Sequence, residues 1–368
     1  MTLSETTSWS HPATPVERIV WIDAAKGLGI LLIVLGHVWS LEDPSLFYEW
    51  MYAFHVPLFF FVSGLTLKPG MRSMVGVARA KAGTLMVPYF VYAMLGYLLF
   101  LVGFIVVQWT GATVEQFSYG LLPPLLAIFH GTLGDGLLTN SPLWFLPALF
   151  VTYLLGYGIN TYLPGHGLRL FVIATLSTLG IWLGDSLRLP FSVVPALISL
   201  VFFQAGYYVR YLGLAERSVL PHAWLVLVML LALSLLAPMN GFIGVGKGIV
   251  QNPLMFLFFA FVGIASASIF SQLISRLDGG MLAFIGRYSL PILVVHMLVI
   301  KVVKVMIIVL FGIGQDAIET SFLMGFNVLV ISGLVMVPTI WVMERWLPIT
   351  LGRRQEQRRF CSERSSHV

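Results

Sequence analysis

The chain has 368 residues, 58% of them hydrophobic and 10% charged, with a mean hydropathy of +0.91; soluble domains carry about a quarter charged residues. In water such a chain would expose hydrocarbon over its whole surface, so the composition excludes a soluble fold and predicts an all-α, polytopic membrane bundle. The net charge of +5 does not point to nucleic acid, because the basic residues lie between and beside the apolar runs, where they act as topology signals.

In chain order, residues 1–18 (MTLSETTSWSHPATPVER) are polar and lack the basic start and short apolar core of a cleaved signal. The first apolar run is therefore expected to remain as a span. Ten helical spans are predicted, near 19–40, 50–67, 84–107, 142–162, 168–184, 190–209, 221–237, 248–270, 289–312 and 321–345. Segment 108–141 holds GLLPPLLAIF, whose adjacent prolines suit an interfacial or re-entrant piece better than an eleventh span. A transmembrane domain thus covers 19–346, followed by a basic tail, 347–368, expected on anionic headgroups. The single cysteine, Cys361, allows no disulfide framework or cysteine metal site, and no metal is expected.

Charge tests the span count. The N-terminus and the segments after even-numbered spans hold 16 of the 21 Lys and Arg, whereas those after odd-numbered spans hold Arg188 and Lys247. The latter carry acids instead: Glu42, Asp43, Glu49, Glu115, Asp135, Asp185, Asp316 and Glu319. The positive-inside rule then puts both termini in the cytoplasm, and an odd span count would break the alternation.

Ionisable groups inside a bilayer are costly and so are functional candidates. Asp23, Lys26, Ile30, Val34 and His37 follow steps of three and four and would form one stripe on the first span. Lys26 and His37 would then lie about 16 Å apart along the axis. The alternative is structural, with Lys26 paired to Asp23 and His37 bonded to a backbone carbonyl. His55, about two turns into the second span, and Glu49 at its mouth could join His37, since a histidine oriented by a carboxylate is suited to activating a hydroxyl. Glu49 could equally be a solvated loop acid. Arg72, Arg79 and Lys81 either follow the positive-inside rule or form a site for a phosphorylated, nucleotide-bearing ligand. Asn140, Ser141 and Trp144 open the fourth span, where tryptophan is also usual in the interfacial belt. His296, Lys301 and Lys304 fall within the ninth span, and Gly244-Val245-Gly246 is too short to mean phosphate binding.

RIVWIDAAKGLGILLIVLGHV and FHVPLFFFVSGL, with Lys26 and His37 spaced as a basic residue, ten positions and a histidine, resemble the membrane-bound acyltransferase-3 family. Ser63-Gly64, the basic-then-PY run at Arg79, Lys81, Pro88 and Tyr89, LWFL at Leu143–Leu146 and YSLPILVVH ending at His296 extend the likeness from about residue 18 to about 300. The subgroup it is most similar to is the fucose 4-O-acetylase-like and exopolysaccharide O-acetyltransferases. Family members often have arginine where this chain has Lys81, and 108–141 matches nothing in the pattern. The resemblance implies a bacterial inner-membrane enzyme that moves an acetyl group from cytoplasmic acetyl-CoA to a sugar hydroxyl on a lipid-linked or exported glycan, with polysaccharide assembly machinery as a partner. It implies His37 as base with His55, Glu49 and Asp23, and Lys26, Arg72, Arg79 and Lys81 on the coenzyme A phosphates. Asn140, Ser141, Trp144 and His296 would face the acceptor, Asn140 or Ser141 steadying the oxyanion. With no serine or cysteine nucleophile paired to a base at helical spacing, direct transfer is expected. Two rival readings are a transporter with Asp23, Lys26 and His37 as a proton relay, which lacks visible inverted repeats, and a non-catalytic scaffold, which would not need ionisable groups across a span.

Overall fold

A computed structural model describes residues 19–39, 45–110, 118, 120–133, 140–184, 186–217, 221–277 and 280–353. The segment 1–18, most of the tail with Cys361, and the acids Glu42, Asp43, Glu115, Asp135 and Asp185 lie outside them. In chain order the α-helices are α1 (Val20–Leu35), α2 (Leu46–Tyr52), α3 (His55–Gly64), α4 (Met74–Lys81), α5 (Val87–Thr110), α6 (Leu122–His130), α7 (Phe145–Tyr162), α8 (His166–Leu183), α9 (Val193–Tyr211), α10 (Ala223–Ser234), α11 (Pro253–Ile274), α12 (Met281–Arg287), α13 (Ser289–Phe311), α14 (Gln315–Thr320) and α15 (Phe322–Trp346). Among the described residues there is no strand; the one extended pairing is a lone bridge between Gly244 and Ile249. The protein is an all-α integral membrane bundle.

Among the described residues eight helical stretches are long and apolar enough to cross a bilayer, from Met74–Trp109 to Phe322–Trp346. They match the third to tenth expected spans. The first two are built from shorter pieces, the 16-residue α1 and the 10-residue α3. The helix α6 has nine residues, about 13 Å at 1.5 Å per residue, too short to span. It is tied to the bundle where Tyr89 Oη donates to Ile128 O at 2.6 Å and Ser192 Oγ to Gly131 O at 2.7 Å.

Side chains sort by helix. On α5 and α15, Val102, Ile105, Trp109, Leu334, Val337 and Trp341 are exposed, as expected of apolar helices facing lipid. By contrast α1, α3, α7 and α9 form the interior. Lipid offers no hydrophobic drive between helices, so close backbone approach supplies the packing. A Cβ on Gly64 would lie 1.8 Å from Phe203 O, and one on Gly206 1.9 Å from Phe61 O, so α3 and α9 meet at reciprocal glycines. Gly27 and Gly286 do the same for α1 and α12, against Leu282 O and Asp23 O.

Two elements depart from the expected helices. The second span is broken at Ala53–Phe54 into α2 and α3, which places Pro57 in the first turn of α3, where its missing N–H costs nothing. The third begins ten residues before its expected start, at Met74. Ser73 Oγ caps α4 by accepting from Gly76 N at 3.2 Å, and a π-turn at Ala82–Met86 joins α4 to α5. Pro88 lies just beyond that turn and cannot donate to the carbonyl four residues back, a conflict that the wider register absorbs.

Candidate active site

The helix α1 ends earlier than its apolar run suggests. Its last carbonyls are taken by two phenols from α2: Tyr48 Oη donates to Leu35 O at 3.3 Å and Tyr52 Oη to Gly36 O at 3.2 Å. Such partners satisfy the orphan acceptors of a helix end. His37 therefore sits in a turn, with its N–H on Val34 O at 3.1 Å. This corrects the continuous stripe from Asp23 to His37: Asp23, Ile30 and Val34 are buried on α1, and His37 lies beyond the helix.

The turn delivers His37 to a cavity of about 510 Å³. His55, Tyr52, Ser141, Trp144 and the Lys304–Glu319 ion pair also line it. At the head of α3, His55 donates from Nδ1 to Met51 O at 2.8 Å, with the Tyr52 ring edge-on at 4.6 Å. The third histidine, His296, stands behind His37 with ring centroids 5.4 Å apart. The structure thus brings together His37 from the turn after α1, His55 from α3 and His296 from α13.

The other expected residues divide. Ser141 and Trp144 are on the wall, whereas Asn140 is buried with its amide nitrogen donated to Val294 O at 2.9 Å. Glu49 lies on α2 and is not a lining residue. The carboxylate on the wall is Glu319, which accepts from Lys304 Nζ at 2.9 Å and from Gln315 Nε2 at 3.1 Å. One wall was not anticipated: the loop Phe242–Lys247. It is closed by the Gly244–Ile249 bridge and set against Trp144 so tightly that a Cβ on Gly246 would lie 2.5 Å from the indole. Its sequence signal was Lys247, one of two cations on an acid-rich side.

The remaining candidates gather at the opposite end of α1. Lys26 Nζ is 3.5 Å from Asp23 Oδ1 and within electrostatic range of Lys81. Lys81 Nζ lies over the Tyr153 ring, 3.8 Å from its centroid, a cation–π contact. Arg72 and Arg79 are exposed, and the Arg72 backbone is held by the Tyr157 hydroxyl. Among the described residues no group of His, Cys, Asp and Glu is arranged to hold a metal.

Two sites at the ends of one helix, cations at one and histidines around a cavity at the other, suit a reaction joining a phosphorylated donor to a second substrate. The family model described as an acyltransferase domain matches residues 19–345. The chain belongs to the acyltransferase-3 family. No curated protein and no solved structure matched it. As a multi-pass membrane acyltransferase it uses an acyl donor and an acceptor, and the matched region takes in both ends of α1.

Proposed function

We propose that this acyltransferase moves an acetyl group from cytoplasmic acetyl-CoA to a sugar hydroxyl of a lipid-linked or cell-surface glycan in a bacterial inner membrane, with His37 as general base. The observation that carries the reading is the position of His37, on a cavity at the end of α1 opposite Lys26 and Lys81. By the positive-inside rule the Lys81 end is cytoplasmic and the cavity lies toward the outer face. Lys81, Arg79, Arg72 and Lys26 hold the coenzyme A phosphates, Arg72 and Arg79 being exposed at that mouth and suited to charge-assisted bonds with phosphate. The pantetheine arm brings the thioester along α1 toward the cavity.

There His37 takes the proton of the sugar hydroxyl as its oxygen bonds to the thioester carbonyl carbon. The C–S bond then breaks, and the thiolate recovers the proton from His37 and leaves as free coenzyme A. Ser141 is the better-placed oxyanion donor, because the Asn140 amide nitrogen is already engaged. His55 lies within reach of the acceptor, and Trp39, Tyr52, Trp144 and Phe242 supply apolar faces for a sugar ring.

The test is transfer of label from radiolabelled acetyl-CoA to membrane glycan at matched expression. Label with the wild type and none with His37→Ala supports the reading. Equal label in both contradicts His37 as base.

A further inference from the structure

Unlike His37 and His55, His296 is not a lining residue of the cavity. It is wholly buried, with Nδ1 3.0 Å from Ile292 O and 2.9 Å from Leu293 O. Carbonyls only accept, so Nδ1 carries the ring proton and Nε2 keeps a bare lone pair. That Nε2 is buried with no hydrogen-bond partner, and an unmet buried acceptor calls for an explanation. The ring nearest to hand is His37, at 5.4 Å between centroids and tilted by 43°. As the rings stand neither His37 nitrogen reaches that Nε2, but at this spacing a turn of the His37 imidazole brings one nitrogen of each to about 3 Å, hydrogen-bond distance.

We propose that His296 is a positioning residue for His37, its Nε2 accepting the His37 N–H once the His37 ring turns toward it. The bond fixes the tautomer in which the other His37 nitrogen is bare toward the cavity. The inference rests on His37 acting as the base. When His37 takes the hydroxyl proton, the positive charge arises in low-dielectric surroundings, and the His296 lone pair stabilises it. His296 itself gains and loses no proton. A neutral imidazole does this without placing a carboxylate in hydrocarbon, where its charge would be costly.

The other groups around His37 are differently engaged. His55, from α3, lines the cavity and donates from its Nδ1 to Met51 O; Tyr52, from α2, donates to Gly36 O. Lys304 of α13 and Glu319 of α14 neutralise each other. Lys301, also on α13, lies in electrostatic range of His37 but as a cation cannot accept. Of these groups, His296 is the one with a buried lone pair unspent.

Two variants of the full chain in lipid nanodiscs separate positioning from packing. His296→Asn keeps a donor near Nδ1 and removes the acceptor at Nε2, whereas His296→Gln returns an amide oxygen near Nε2. With acetyl-CoA, His296→Asn is expected to lower kcat about 10-fold or more, part of the roughly 10²–10⁴-fold that acid–base catalysis supplies, at unchanged KM for the donor. His296→Gln should recover part of the loss. Independently of turnover, ¹⁵N-histidine NMR should show nitrogen–nitrogen coupling between two imidazoles, lost in both His37→Gln and His296→Asn. Absence of that coupling, or equal loss in the Asn and Gln variants with a raised KM, overturns the proposal. Coupling without any acetyl transfer would uphold the pair and sink the acetyl-transfer reading; transfer without coupling would do the reverse.

Discussion

At the Lys26 end of α1 the cations stand within reach of water, whereas at the His37 end His55 and His296 are buried and fixed by backbone carbonyls. Arg72 and Arg79 are exposed, Lys26 keeps 29% of its side chain accessible, and Lys81 rests on a tyrosine face. His55 and His296 are 4% and 0% exposed. A phosphate-binding site can use solvated, mobile cations because it needs attraction more than geometry. Proton abstraction depends on an orientation held to a fraction of an ångström, and packing supplies that.

This contrast can be broken by substitution, starting where both ends should fail together. Gly286→Leu would drive a side chain into the Asp23 carbonyl on α1, and the expected result is loss of a monodisperse folded protein in size-exclusion chromatography. Next, His37→Gln should lower kcat roughly 10²–10⁴-fold, the contribution of a general base, while donor binding measured by equilibrium dialysis stays as in the wild type. Lys81→Gln should do the converse. A hydrogen bond to a charged group is worth about 1.5–3 kcal/mol, so KM for acetyl-CoA should rise about 10-fold or more with kcat nearly unchanged. Added salt should shrink that difference. Smallest of all, Glu49→Gln should change kcat/KM by no more than about 2-fold, within the range of substitutions away from a site. A large effect there would return Glu49 to the catalytic group.

Much of the fold was legible in the sequence because apolar length and charge alternation respond directly to the bilayer. The third to tenth spans were found within a few residues except where a cap moved an end: Ser73 starts α4 ahead of the apolar run. Local apolarity could not reveal that α1 stops at Leu35. LLIVLGHVWS reads as unbroken helix, and its end is set by Tyr48 and Tyr52, whose hydroxyls reach back 13 and 16 residues. The expected second span likewise ran unbroken through the break before His55, although Pro57 suits the first turn of a new helix.

At the site, His37, His55, Ser141 and Trp144 were named from sequence and line one cavity. Glu319 and the Phe242–Lys247 loop were not given a catalytic setting. They reach the cavity from some 200 to 280 residues along the chain from His37, and no local pattern encodes that meeting. Asn140 is held differently from its neighbour Ser141: its amide nitrogen ties α7's approach to α13 through Val294.

The most direct test of the central claim, that donor and base work from opposite ends of α1, is sided transfer in sealed vesicles. Radiolabelled acetyl-CoA is supplied only outside, to inside-out and to right-side-out membranes, and label in glycan is counted. The account expects label when the Lys81 and Arg79 face meets the donor, and none in the opposite orientation. Equal label from both faces, or label only from the His37 side, would contradict it.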